Sequence, residues 1–262
     1  MNMNSNPIGI FDSGAGGLSI LKEINLLMPN ESTLYISDSK YAPYGPRGNK
    51  FILERSIKNT EILLSKGSKI IVVACNTATT NAIKHLREKY SVPFIGIEPA
   101  IKPASLWTNS NAIGILATKG TLSSSLFHET CEKYTKNKTV IEQDGDGIVE
   151  LIESGGINSV EMKELLIKYL NPMIENNVDC IVLGCTHYYF LLPIIKKIIP
   201  KKVKIIDSGP AVALQTKVII ENQGLINSSV KGNVFNKFYT NGNKRIMAQL
   251  MNFDKSRIEV LQ

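Results

Sequence analysis

The sequence predicts an α/β protein of two similar lobes, each a parallel-sheet α/β sandwich, related by a pseudo-twofold with the active site between them. Three observations predict it. Short runs rich in Ile and Val alternate with longer stretches of helical apolar spacing, as expected of parallel strands joined by crossover helices. The segment Ile70-Ile71-Val72-Val73-Ala74-Cys75-Asn76-Thr77 is echoed 110 positions later by Cys180-Ile181-Val182-Leu183-Gly184-Cys185-Thr186-His187. A second pair, Ile8-Gly9-Ile10-Phe11-Asp12-Ser13-Gly14 and Ile113-Gly114-Ile115-Leu116-Ala117-Thr118-Lys119-Gly120, is offset by 105 positions, so order and spacing are both kept. The lobes are expected to comprise 1–98 plus 209–262, with Asp12 and Cys75, and 99–208, with Cys185 and His187.

The elements follow in order. A strand over Ile8–Phe11 enters the turn Asp12-Ser13-Gly14-Ala15-Gly16-Gly17, and Leu18, Ile20, Leu21, Ile24 and Leu27 then have helical spacing up to Pro29. Thr33–Ser37 reads as a strand, and Ala42-Pro43-Tyr44-Gly45-Pro46-Arg47-Gly48 as a loop with fixed turns. A helix over 50–66 leads to the first cysteine strand, a helix over 77–90 follows it, and 92–97 is the next strand. The pattern restarts with a strand at 113–117, a helix at 123–136, a strand at 138–142 and helices at 147–154 and 160–176. After the second cysteine strand come a helix at 190–199, a strand at 203–206 and a helix opened by Asp207-Ser208-Gly209-Pro210. Lys237-Phe238-Tyr239-Thr240 reads as the terminal strand, returning to the first lobe.

With 262 residues and 43% hydrophobic residues, the chain has enough apolar surface for packed cores. No apolar stretch reaches the roughly 18 residues of a membrane-span candidate, and Met1–Pro7 is polar, so a cytoplasmic location is expected. The net charge of +7 comes from dispersed Lys and Arg, the densest group being Lys196-Lys197 with Lys201-Lys202 and Lys204, which argues against a nucleic-acid surface. The four cysteines suggest reduced thiols rather than a disulfide framework.

Each echoed strand ends in a small residue and then Cys, in the crevice where parallel α/β sheets place ligand and catalytic groups. Two thiols facing one tetrahedral carbon from opposite sides can remove a proton on one face and return one on the other. An unperturbed thiol ionises near pH 8.5, close enough to neutrality for modest local fields to poise one as thiolate and the other as thiol. Asp12 stands at the end of the strand neighbouring Cys75, where the second lobe has Ala117; His187 stands where the first has Thr77. This asymmetry gives each thiol its own ionisable helper. Amides and hydroxyls at Ser13, Tyr44-Gly45, Asn76-Thr77, Thr118 and Thr186 suit carboxylate binding.

Competing readings are weaker. Cys131 and Cys180 read as packing residues, and His85 and His128 as solvated side chains. Cys180, Cys185 and His187 match no common zinc spacing. The turn over Asp12–Gly17 is not a G-x-G-x-x-G dinucleotide loop. Trp107 reads as packing.

Taken in order, Asp12-Ser13-Gly14 with Gly16-Gly17-Leu18-Ser19, Pro43-Tyr44-Gly45-Pro46-Arg47, Ala74-Cys75-Asn76-Thr77-Ala78 and Leu183-Gly184-Cys185-Thr186-His187 resemble the glutamate racemases of the aspartate/glutamate racemase family. So do Pro99–Ala104, Leu116–Thr121 and Asp207-Ser208-Gly209. The resemblance implies cofactor-independent interconversion of L- and D-glutamate for peptidoglycan. In it Cys185 deprotonates the L-enantiomer, Cys75 deprotonates the D-enantiomer, and Asp12 and His187 assist. It further implies Glu153 as third helper, with Glu150 the alternative alignment, and substrate contacts at Asp12, Ser13, Tyr44, Gly45, Asn76, Thr77, Thr118, Thr186 and His187. No metal or pyridoxal phosphate is expected, and a homodimer is common among such enzymes. The chain departs from the family in having Asp144-Gly145-Asp146-Gly147 where many members carry Cys-Pro, and Tyr189 where Pro is frequent. Rival functions are racemisation of aspartate, a hydantoin or another dicarboxylate on the same scaffold, and ligand binding without chemistry.

Overall fold

The computed structural model describes residues 5–227 and 234–261. β1 (Ile8–Asp12) and β2 (Thr33–Ser37) lie parallel, joined through α1 (Leu18–Leu27). Every residue of both strands is buried, which is why neither alternates apolar with polar residues. α2 (Asn49–Ser65) leads to β3 (Ile70–Val73) on the other side of β1, and α3 (Asn76–Lys89) to β4 (Phe94–Gly96) beyond it. After α4 (Ile101–Trp107) come β5 (Ala112–Ala117), α5 (Lys119–Leu122), α6 (Ser125–Tyr134) and β6 (Thr139–Asp144). α7 (Ile148–Glu153) and α8 (Val160–Glu175) precede β7 (Cys180–Gly184), which runs into a 3-10 turn over Thr186–Leu191, α9 (Leu192–Ile198) and β8 (Lys204–Ile206). α10 (Gly209–Asn222) returns the chain to the first sheet, whose edge is extended by β9 (Asn236–Thr240) and, after α11 (Lys244–Met251), by β10 (Ile258–Val260).

The two sheets have strand orders β10-β9-β2-β1-β3-β4 and β6-β5-β7-β8, all pairs being parallel. The order β6-β5-β7-β8 repeats β2-β1-β3-β4 strand for strand. β5 is therefore the counterpart of β1, and β7 of β3, as the two sequence echoes require. The lobes differ by the two strands that the end of the chain adds to the first sheet.

Several elements differ from the sequence expectation. Thr240 does not end the last strand, because the three-residue β10 adds a further edge; only Ile258 of it is buried, too short a run to carry a period. The helix expected over 123–136 breaks at Ser123, where Ser124 caps α6 by accepting a hydrogen bond from Phe127 N at 3.3 Å. α4 was hidden by its seven-residue length and the Pro103 within it, although Ile101 and Ala104 anchor it in the core. The helix expected from Phe190 begins two residues later, with Pro193 in its first turn, because the chain first makes the 3-10 turn that carries His187. Among the described residues no helix is long and apolar enough to cross a membrane.

Candidate active site

The two echoed cysteines take equivalent places, each just past the carboxyl end of a central strand. Cys75 follows β3 and caps α3, its sulfur accepting a hydrogen bond from Ala78 N at 3.4 Å. Its thiol donates to Ser13 Oγ at 3.4 Å. Cys185 follows β7, with its sulfur 3.8 Å from His187 Nδ1. Both border one cavity of about 270 Å³. One wall comes from the six-stranded lobe, through Ser13, Tyr44, Gly45, Asn76 and Thr77; the other comes from the four-stranded lobe, through Thr118, Thr186 and His187. Every sequence-predicted substrate contact except Asp12 lines this cleft.

Asp12 lies behind the wall, fully buried. Its carboxylate accepts hydrogen bonds from Gly17 N at 2.6 Å, Ser13 N at 2.7 Å and Thr186 Oγ1 at 3.2 Å. Burial pushes its carboxyl up, and the His187 charge and the Gly17 and Ser13 amides offset this only in part. Burial, reinforced by the Asp12 carboxylate, pushes the Cys75 thiol far up and so favours its protonated form.

The surroundings of Cys185 differ. His187 Nε2 lies 2.7 Å from Glu153 Oε1 at the end of α7, and the same oxygen accepts from Ala15 N at 2.6 Å. Burial opposes a charge on His187, yet its hydrogen bonds to Cys185 and Glu153 hold the imidazolium well above the usual histidine range. Burial works against the Glu153 carboxylate as well, but His187 and the Ala15 amide hold it below its ordinary value. Nε2 also has the Gly16 N–H aimed at it from 3.2 Å; with the ring charged, Nε2 donates to Glu153 in preference to accepting from Gly16, and Nδ1–H is presented to Cys185. Glu150, the alternative third helper, is exposed and borders an outer cavity with Lys119, Asp144 and Asp146. Of the two glutamates, the structure brings Glu153 to the histidine.

These contacts explain the glycines of the first turn. A Cβ on Gly14 would overlap the Glu153 carboxylate, and one on Gly16 would come within 2.6 Å of His187 N and Thr186 Oγ1. The turn is bare so that the helpers of the opposite lobe can approach its backbone.

Asn76 offers the cleft an unpaired polar side chain. Both polar atoms of its side chain are buried without a hydrogen-bond partner, in the first residue of α3 and on the cavity wall. An unmet buried donor and acceptor are costly, and a bound carboxylate can satisfy the donor. The α3 N-terminus adds backbone N–H groups suited to an anion.

Two supporting residues were not anticipated. Tyr35 donates its hydroxyl to Gly14 O at 2.8 Å from within the core, and its signal was a polar tip between the apolar Leu34 and Ile36. Thr121 joins Thr77 and Thr118 in a hydroxyl cluster across the cleft, with Thr77 Oγ1 at 2.8 Å from Thr118 Oγ1 and 3.3 Å from Thr121 Oγ1. Nothing local in the sequence distinguishes that threonine. Cys180 is buried at the head of β7, Cys131 is half-buried on α6, and all four cysteines are free. His85 and His128 are exposed, and Trp107 packs with Lys204 Nζ 4.8 Å from its ring centre. Among the described residues, no group of three or more His, Cys, Asp or Glu is placed to hold a metal ion.

The family profile described as Asp/Glu/Hydantoin racemase matches residues 20–216. The chain belongs to the Asp/Glu/Hydantoin racemase family. Among its curated relatives in that family is a glutamate racemase of Ectopseudomonas mendocina, 44% identical over 227 residues that cover 86% of each chain. The fold is shared with an Escherichia coli glutamate racemase crystallised with L-glutamate, with a TM-score of 0.86 and 30% identity, the match covering 98% of each chain. It is also shared with a Francisella tularensis glutamate racemase crystallised with D-glutamate, with a TM-score of 0.85 and 27% identity, covering 99% of this chain and 98% of that one.

Proposed function

We propose that this protein is a glutamate racemase that interconverts L- and D-glutamate by a two-base transfer between Cys75 and Cys185, with no cofactor, and supplies D-glutamate for peptidoglycan. The observation that carries the mechanism is the pair of thiols at equivalent strand ends on opposite walls of one cleft. L-Glutamate loses its α-proton to Cys185 and receives one from Cys75 on the other face; D-glutamate runs the same path backwards. The state that attacks the L-enantiomer has the Cys185 proton held on His187, which Glu153 keeps charged, while Cys75 is still a thiol beside Asp12. That state is supported by the opposite settings of the two helper carboxylates, Asp12 raised by burial and Glu153 lowered by its imidazolium and amide partners.

Substrate carboxylates bind to the Ser13, Asn76-Thr77 and Tyr44-Gly45 groups on one wall and to Thr118 and Thr186 on the other. Glutamate, rather than aspartate or a hydantoin, is supported by the relatives that match along nearly the whole chain. The lobe division at 1–98 plus 209–262 and 99–208 is supported by sheet membership, strands at 8–96 and 236–260 forming one sheet and strands at 112–206 the other. The test is proton NMR of each glutamate enantiomer in D2O with reduced, cofactor-free protein. Loss of the α-proton signal with inversion from both enantiomers is expected; no exchange from either, with exchange from aspartate or another dicarboxylate instead, would overturn the substrate assignment.

A further inference from the structure

Asp38 is a buried carboxylate that the proton-transfer chemistry does not use. It stands one residue past β2, its backbone N–H bonded to Asp12 O at 3.0 Å, level with the catalytic strand ends. Its side chain nevertheless turns away from the cleft and gathers donors from three separate segments. Arg55 of α2 grips it through Nε at 2.8 Å and Nη2 at 2.6 Å, and Asn59 Nδ2 of the same helix lies at 3.3 Å. Asn241, just past β9, donates to Oδ1, and the Tyr44 hydroxyl donates to Oδ2. The Arg55 guanidinium also stacks on Tyr41 at 4.2 Å from the ring centre, so the loop carrying Tyr44 is seated at two points.

This arrangement settles which part of Tyr44 can meet a substrate. Its hydroxyl is committed to Asp38, and burial together with that carboxylate holds the phenol well above its ordinary range, so it remains an O–H donor. With the hydroxyl so engaged, Tyr44 lines the cavity together with its neighbours Pro43 and Gly45. Gly45 in turn lies against Gly120 of the other lobe, where a Cβ on Gly120 would approach Gly45 Cα to 2.8 Å. A small shift of the loop therefore moves the cleft wall and its closest contact with the opposite lobe together.

We propose that Asp38 is a positioning residue for substrate binding, which holds the Tyr44 hydroxyl and so sets the Pro43-Tyr44-Gly45 wall against the substrate. Arg55 and Asn241 hold Asp38 in turn. The proposal deepens, and rests on, the reading of the cleft as a glutamate site. No proton passes through Asp38, so its loss acts on binding more than on turnover.

The experiment compares full-length wild type, Tyr44→Phe, Asp38→Asn and the double variant, with glutamate kinetics in both directions and thermal melting of each. A hydrogen bond to a charged group supports an expected rise in KM of about tenfold for Tyr44→Phe with both enantiomers, with a much smaller change in kcat. Because the two residues act through one bond, the double variant should lie within about twofold of Asp38→Asn. An unchanged KM in Tyr44→Phe, a fall in kcat at constant KM, or additive effects in the double variant would each overturn the proposal. Tyr44→Phe decides the matter even where Asp38→Asn fails to fold. Wild type that neither turns over nor binds glutamate would overturn the reading of the cleft and this proposal with it; wild-type turnover with an indifferent Tyr44→Phe overturns the proposal alone.

Discussion

Glu153→Gln removes one charge and almost no volume from a point where two short bonds converge. Oε1 accepts from His187 Nε2 at 2.7 Å and from Ala15 N at 2.6 Å. A hydrogen bond to a charged group contributes about 1.5–3 kcal/mol and a neutral one about 0.5–1.5, so the substitution weakens each by roughly 1–1.5 kcal/mol. The Ala15 bond acts on the fold in substrate-free and reacting states alike. In the proposed mechanism the His187 bond acts on the proton that Cys185 exchanges, and its weakening should lower kcat/KM by about tenfold. Interconversion of enantiomers has an equilibrium constant of unity in water, so kcat/KM must fall equally in both directions, although kcat and KM can shift separately.

The pH dependence of Glu153→Gln gives a second reading. His187 is raised partly by Glu153. If turnover of L-glutamate requires a charged His187, activity is present below its pKa and is lost as pH rises through it. Removing Glu153 lowers that pKa, so the alkaline limb of kcat/KM should move to lower pH. Stability follows the same sign: the His187 contribution is complete below the unfolded value of about 6.5 and fades as pH rises through the raised folded value. The Glu153 contribution is complete above about 4.3 and fades as pH falls through its lowered folded value. The variant's deficit in melting temperature should therefore be largest between those two values. Chiral rate assays across pH test this, and unchanged kcat/KM with an unmoved alkaline limb would refute the role given to Glu153.

Asn76→Ala should raise KM by about tenfold or more while leaving the melting temperature of the empty protein unchanged or higher, because the wild-type amide is buried without partners until ligand arrives; isothermal titration with glutamate and a thermal melt check both halves. Gly120→Ala should push the two lobes apart at the cleft, since the added Cβ meets Gly45 Cα and Thr77 Cγ2 at 2.8 Å, and loss of substrate affinity exceeding loss of stability is the expected result in the same two assays. Cys131→Ser, at a half-buried position on α6 remote from the cleft lining, should leave turnover within about twofold of wild type.

The sequence carried most of the fold because the duplicated strands are buried on both faces. Ile70–Val73 and Cys180–Gly184 read as continuous apolar runs, and their echo carried the topology with it. Short elements escaped because they bury too little to leave a period: α4 rests on Ile101, Ala104 and Ser105, and β10 on Ile258 alone. At the site, Cys75, Cys185 and His187 were legible from the echo itself, each at the end of a recognisable strand. Asp12 was legible as a carboxylate near Cys75 but not as a residue set behind the wall, since that depends on the Gly17 amide and the Thr186 hydroxyl taking up its carboxylate. The choice between Glu153 and Glu150 was closed to sequence because a six-residue helix fits either register; only the approach of His187 across the cleft separates them. Asp38 left no trace, because its meaning lies in donors drawn from positions 44, 55, 59 and 241.

The most direct test of the two-thiol mechanism is α-proton exchange in D2O with Cys75→Ser and Cys185→Ser, each given L- and D-glutamate separately. Removal of a positioned acid/base group costs about 10²–10⁴-fold, so neither variant should racemise measurably, and any residual exchange should be confined to L-glutamate for Cys75→Ser and to D-glutamate for Cys185→Ser. Racemisation by either variant at close to the wild-type rate would contradict the mechanism.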